Sequence, residues 1–274
     1  MREIKLSFLI IKLTFSFILS VTCLVNAQVP ELKKNINKKS DWDFSITPYG
    51  LFAFNSTDVG GTQIRQSFND LNSITNAGFQ LAAHTRFKRF HLFFDGTWAN
   101  LGDKTSNAGL KIDLEIIQRI FAFNLGYNVY ENFHFKENEV LKGWRLIIDF
   151  GAKYWKNDLF LNYSLSHNDN ILLNGTLNQL TDWWDLMLGA KADLHISNKF
   201  SLNVSMDIGG FGIGNSSKFT YDFLYLNMFK VSKLITINAG FRNFNYKRSD
   251  VSSSESLDTN VNVFGPLIGA SFRP

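Results

Sequence analysis

The sequence is short of three things. It has one cysteine, Cys23, and four prolines, and beyond residue 27 it has no apolar run of the length a membrane helix needs. The lone cysteine excludes a disulfide framework and paired-thiol chemistry, so hydrogen bonds and packing must hold the fold. The missing apolar runs exclude a helical membrane protein for residues 28–274, because a spanning helix takes about 20 such residues. Strong charge of one sign is missing too. Setting aside Arg2, Lys5, Lys12 and Glu3 leaves 25 basic and 23 acidic residues of the original 28 and 24, and this near balance implies no nucleic-acid partner.

The N-terminus reads as a secretory signal peptide over 1–27. Arg2 and Lys5 precede an apolar core, "LTFSFILSVTCLV", and Val25-Asn26-Ala27 put small residues before Gln28. An uncleaved anchor is the alternative, but Lys12 cuts the apolar core below spanning length. Thr22 stands where a lipidation site at Cys23 would have Gly, Ala or Ser. Residues 28–41, "QVPELKKNINKKSD", are polar, basic and without period, and read as a flexible periplasmic leader.

What is present in abundance is alternation. In "KFSLNVSMDIGG", Phe200, Leu202, Val204, Met206 and Ile208 fall on one face of an extended chain, and Ser201, Asn203, Ser205 and Asp207 on the other. The same period of two recurs in "WDFSITPYGLFAF", "AGFQLAAHTRF", "FHLFFDGTW", "LKIDLEI", "WRLIIDFGAKY" and "WDLMLGAKADLHI". It also runs through "KFTYDFLYLNMF", "LITINAGFRNF" and "NVFGPLIGASF", for about ten strands in all. After Ile116 the apolar parity switches to Phe121, Phe123 and Leu125, which predicts a β-bulge near 117–120. A second switch falls at 241–244. Short links at Phe87-Lys88, 197–199 and 231–233 alternate with longer polar ones at 55–75, 101–109, 164–180 and 247–259, the pattern of an up-and-down meander. The 131–143 link is longer than its place in that pattern predicts. Asn174-Gly175 predicts a turn inside one long loop. "SFNDLNSI", 67–74, carries Ser67 with Asp70 three residues on, a capping-box signature for a short helix that would either constrict a barrel mouth or stand in solvent.

The oily faces meet either a protein core or lipid. Four features favour lipid: the signal peptide, charges of both signs in mid-strand on the polar face, aromatics near strand ends, and no amphipathic helices to cover so much apolar sheet. The girdle candidates are Trp42, Trp98, Trp144, Tyr154, Trp183, Trp184, Phe200 and Tyr246. A bilayer also forces the sheet to close. The expected fold is therefore all-β: a transmembrane antiparallel up-and-down barrel over 42–274, with a secreted soluble β-sandwich as the rival.

The stretches "WDFSITPYGLF", "SFNDL", "TRFKRFHLFFDGTWANL", "DFGAKYW", "MDIGGFGIG", "INAGFRNF" and "VFGPLIGASFRP", spread over most of 42–274, give the chain a further feature. In their order and spacing it resembles a family of small Gram-negative outer-membrane β-barrel proteins without an assigned activity. The resemblance implies a membrane barrel with a short helix after the first strand, placed in the outer membrane with the barrel-assembly machinery as a partner during insertion, and it brings no catalytic residues. Members end on an aromatic residue, whereas here Arg273 and Pro274 follow Phe272.

The candidate functional residues are the charges expected to line the lumen: Arg86, Asp95, Asp149, Lys153, Lys191, Asp207 and Arg242. They either line a conduit or pair and fill a barrel that, at ten strands, is little wider than side chains alone can fill. His84 and His91 face each other across a tight hairpin near Asp95, but a metal site wants three or four ligands and no serine stands out as an activated nucleophile. His195, near the next short turn, offers no more. "GGFGIG", 209–214, lacks a following Lys-Ser/Thr and a helix, so it reads as a strand bend. The N-x-S/T matches "NYS", "NVS", "NST" and "NSS" are chance in an asparagine-rich chain under the bacterial reading. No cofactor is implied. The function expected is non-enzymatic: a structural or surface-interaction barrel, or a narrow pore for small polar solutes. An outer-membrane enzyme acting on lipid or peptide is the alternative.

Overall fold

The computed structural model describes residues 42–274 except 60, 108–109, 136–140, 168–169 and 253–254. The signal-peptide and leader assignments lie outside the described residues. The strands are β1 (Trp42–Leu51), β2 (Phe54–Val59), β3 (Thr62–Gln66), β4 (Thr75–Phe87), β5 (Phe90–Asn107), β6 (Leu110–Phe135), β7 (Leu141–His167), β8 (Asn170–His195), β9 (Phe200–Gly209), β10 (Phe219–Lys230), β11 (Ile235–Ser252) and β12 (Glu255–Phe272). One helix, α1 (Phe68–Ile74), stands between β3 and β4.

These strands form a closed antiparallel barrel of ten staves. β4 to β12 pair in chain order, and β1 pairs with both β4 and β12 to close the ring. β1 and β2 are two halves of one stave, interrupted at Phe52-Ala53, where the Phe52 amide still donates to the Pro266 carbonyl at 2.9 Å. β2 continues the ladder along β12, and β3 folds back beside it. The helix forms as the capping box requires: Asp70 accepts from the Ser67 amide at 2.8 Å, and the Ser67 oxygen accepts from the Asp70 amide.

The barrel is inside out relative to a soluble one. Phe150, Leu186, Leu188 and Leu92 face outward and are each more than half exposed, while Asp149, Lys153 and Asp185 face inward and are at most 2 % exposed. Two aromatic bands edge the apolar surface. On one side the rings of Phe79, Trp98, Phe121, Tyr154 and Trp184 touch in series across β4 to β8, at 4.9 to 6.3 Å between centroids. On the short-turn side, Trp42 with Phe87, Phe90 with Tyr127, and Tyr130 with Trp144 make the second band. From Trp144 to Tyr154 is ten residues, about 33 Å along a strand and about 25 Å along the axis of a barrel tilted by some 40°, the height of an outer-membrane apolar band.

Several expectations need correction. No bulge occurs at 117–120: β6 pairs with β5 from Leu110 to Tyr127 without a register shift, and its irregularity against β7 lies at Asn128/Tyr130. The parity switch has another cause. Ile112, Leu114 and Ile116 share the inward face of buried Ile120, and Lys111, Asp113 and Glu115 share the outward face of Phe123. Above the upper aromatic band the outside is water, so apolar side chains turn inward on an unbroken strand. The switch near 241–244 is the same: β11 runs through it, with Phe244 and Tyr246 buried.

The links placed at 101–109, 164–180 and 247–259 are largely strand, and Asn174-Gly175 sits within β8, because hairpin pairing continues far beyond the apolar band. β7 runs 27 residues, against the 9–11 that cross a bilayer. Trp183 and Tyr246 are not girdle residues but buried, inward-facing ones, and Phe200 is buried beside the 197–199 turn. Residues 209–214 form the predicted bend, with Gly210, Gly212 and Gly214 all at positive φ.

Candidate functional site

The alternation that turns apolar residues to the outside delivers polar ones to the lumen, where they stack in layers. At mid-height a network crosses the barrel. Arg242 on β11 donates from Nε and Nη2 to the two oxygens of Asp222 on β10, at 2.9 and 2.6 Å. Its Nη1 reaches Asp95 on β5 at 2.9 Å and the Tyr49 hydroxyl on β1 at 2.6 Å, and Tyr49 donates to Asp95 at 2.8 Å. Lys153 on β7 donates to Asp222 at 2.8 Å. Beside this chain, Lys191 on β8 bridges Asp149 and Asp207, each at 3.0 Å, and Asn124 on β6 donates to the same two carboxylates at 2.6 and 2.9 Å. The bonds run as chords, β5 to β11 and β7 to β10. Gly189 makes room for them, because a Cβ there would collide with the carboxylates of Asp207 and Asp149.

Of the seven predicted lumen charges, the structure thus brings together Asp95, Asp149, Lys153, Lys191, Asp207 and Arg242. Arg86 stands apart at the short-turn end, 3.8 Å from Asp43, whose other oxygen meets Arg273 at 3.2 Å. The sequence reading missed Tyr49, Asn124 and Asp222. Asp222 had a signal: it is the single charge between Phe219 and Phe229, in a strand apolar on both faces. Tyr49 reads as one more aromatic, and Asn124 as an ordinary polar alternate.

Above the charged layer lies an apolar one. Trp155, Trp183, Phe244, Tyr246 and Ile120 form the buried cluster, with Leu51, Val261 and Val263 against it. Its polar edges are satisfied: Trp155 Nε1 donates to Asp185 at 2.8 Å, and Trp183 Nε1 to Ser217 at 2.9 Å. Asp185 also takes the Ser217 amide and hydroxyl at 2.7 and 2.8 Å, which ties the 210–218 loop over the lumen. Lys153 lies 4.5 Å from the Trp155 ring and links the two layers.

Toward the short-turn end, His84 Nε2 and His91 Nδ1 are 2.9 Å apart, and both rings stack with Phe93. Arg145 holds Asp193 at 2.6 Å, and Asn203 donates to the same carboxylate at 2.7 Å. Among the described residues no group of three or more His, Cys, Asp or Glu could hold a metal ion. His195 packs edge-on against Phe133.

No family model matches the chain, and no curated protein matches it. Among solved structures it is similar to the outer membrane protease OmpT from Escherichia coli, at 10% identity and a TM-score of 0.49, over 88% of this chain and 99% of that one. It is similar to Ail, the attachment invasion locus protein of Yersinia pestis, at 11% identity and a TM-score of 0.35, over 85% and 97%. Neisserial surface protein A follows at 10% and 0.33, over 85% and 97%. At these values no residue role is carried across.

Proposed function

We propose that the protein is an integral β-barrel of a Gram-negative outer membrane, sealed at rest, and that its work is done by the wall standing above the bilayer. It is a structural and surface-interaction barrel rather than an open pore. One observation carries this reading: the chord Lys153–Asp222–Arg242–Asp95, with Tyr49, ties five strands together across the lumen. Buried charges so paired are costly to separate, since each would be left in a low-dielectric interior without its partner. The aromatic layer above makes a second seal. The tall hairpins of β5 to β8 and of β11 and β12 supply the exposed surface. No reaction is assigned to it.

The test is single-channel recording. The full chain, refolded in detergent and shown to be heat-modifiable on a gel, is inserted into a planar bilayer. The expected result is a silent membrane with the native barrel and discrete openings with R242A. Frequent, salt-dependent openings of the native barrel would instead establish the narrow pore for small polar solutes.

A further inference from the structure

We propose that the outer wall carries a binding site for the headgroup sugars of an outer-leaflet glycolipid, on the face formed by β10, β11, β12, β2 and β3. The inference rests on the barrel standing in a bilayer and is independent of whether its lumen conducts.

The site follows from register. Phe54 on β2 pairs with Phe264 on β12, which pairs with Asn243 on β11, which pairs with Phe223 on β10. The Phe54 and Phe264 rings stack at 5.7 Å on this side of the outer surface. Two residues higher, the outward row across the same strands is Tyr221, Asn245, Asn262, Ser56 and Arg65; two higher again, it is Phe219, Lys247, Asn260, Asp58 and Gln63. Between these rows the wall is hollowed by a depression of about 440 Å³, lined by seven residues that are amides, hydroxyls and one carboxylate.

Three features match sugar chemistry. Side-chain amides and hydroxyls offer donors and acceptors side by side, as the hydroxyls of a pyranose ring require. Tyr221 and Phe219, with ring centroids 6.2 Å apart, supply an aromatic flank for the apolar face of a ring. Lys247 on β11 in the upper row and Arg65 on β3 in the lower one suit the phosphate or carboxylate groups such headgroups carry. Strand formation does not account for the composition, because asparagine is among the residues a strand least favours, and three asparagines line this hollow. At the base of the first row, the Asn243 side-chain oxygen is buried without a hydrogen-bond partner. The height commits the site to the membrane's own glycolipid: it begins one row above the stacked phenylalanines, where acyl chains give way to headgroups.

The experiment uses the full-length barrel refolded in detergent and titrated, by calorimetry, with two probes: intact rough lipopolysaccharide and its deacylated core oligosaccharide. The variants are N262A and the double N262A/Y221A, both on the outer face and away from the interior network, with heat-modifiable migration as the folding control. Intact glycolipid should bind the native barrel and bind the double variant about tenfold more weakly, the scale of one or two lost hydrogen bonds. The oligosaccharide should show the same loss from a weaker start. Binding of intact glycolipid that both variants leave unchanged would mean adhesion to the apolar belt alone and would overturn the site. So would the absence of binding by either probe. A conducting native barrel would overturn the sealed-lumen reading and leave this titration unaffected.

Discussion

Arg242 shows what a single side chain does here. Its guanidinium holds two carboxylates from different strands and a tyrosine hydroxyl, and the residue is 7 % exposed. Removing it leaves Asp222 with Lys153 alone and Asp95 with the Tyr49 hydroxyl alone, so R242A should lower the unfolding free energy by about 3 kcal/mol, read as an earlier midpoint in urea. The exposed pair Lys104–Asp113, at 2.8 Å, is the control: K104A should leave the urea midpoint unchanged. Gly189 makes the opposite case, a residue that matters because it has no side chain. G189A should push Asp207 and Asp149 off Lys191, giving a lower urea midpoint and rarer refolding to the heat-modifiable form. These roles were only half legible beforehand. Charge in mid-strand marks Asp95, Asp149 and Arg242 as unusual, but nothing along one strand says which charge on another it will meet, because partners are set by barrel closure.

At the scale of elements, α1 and β6 carry separate lessons. The helix was readable because its cap is local: Ser67 and Asp70 are three residues apart and bond each other. The Ser67 hydroxyl and amide hold the Asp70 carboxyl below its ordinary value of 3.8. A carboxylate held low in the folded state gives protection that is complete above its unfolded value and lost as pH falls through its folded one. The protection factors of amides across 67–75, exchange rates by mass spectrometry taken relative to the intrinsic rate at each pH, should therefore fall below about pH 4, and those of S67A should be low at every pH. β6 was readable as a strand and misread as a bulged one. Period two locates a face but not what lies beyond it, and the same strand passes from lipid to water without changing its hydrogen bonds. Spin labels on one face of β8 would show this: a label replacing Leu186 should be relaxed by oxygen dissolved in lipid, and one replacing Asn178 by a water-soluble nickel complex. Equal oxygen relaxation at both would refute the inversion.

At the scale of the whole molecule, closure was predictable and the interior layers were not. Ten alternating segments with no helices to cover them leave a bilayer and a closed ring as the consistent outcome. The aromatic layer over the charges depends on Trp155, Trp183, Phe244 and Tyr246 meeting from three strands, and the sequence shows Trp183 and Tyr246 only as more aromatics near strand ends. The ring also sets a timetable. Its seam joins Ile46 to Phe272, and the described β1–β12 pairs are few: Ile46, Tyr49, Gly50 and Leu51 with their partners. Every other stave finds its neighbour next in sequence, so hairpins such as β10–β11 can form early, while the seam must wait until the whole chain is at hand. Until then both edges are raw templates for the wrong strand. Tyr49 lies in that seam, with its hydroxyl bound to Arg242 and Asp95, and Thr47 bonds Ser271 across it at 2.7 Å. The interior plug is therefore also a latch: it can fasten only once the first and last strands have met, and it slows the reopening of the one joint that forms last.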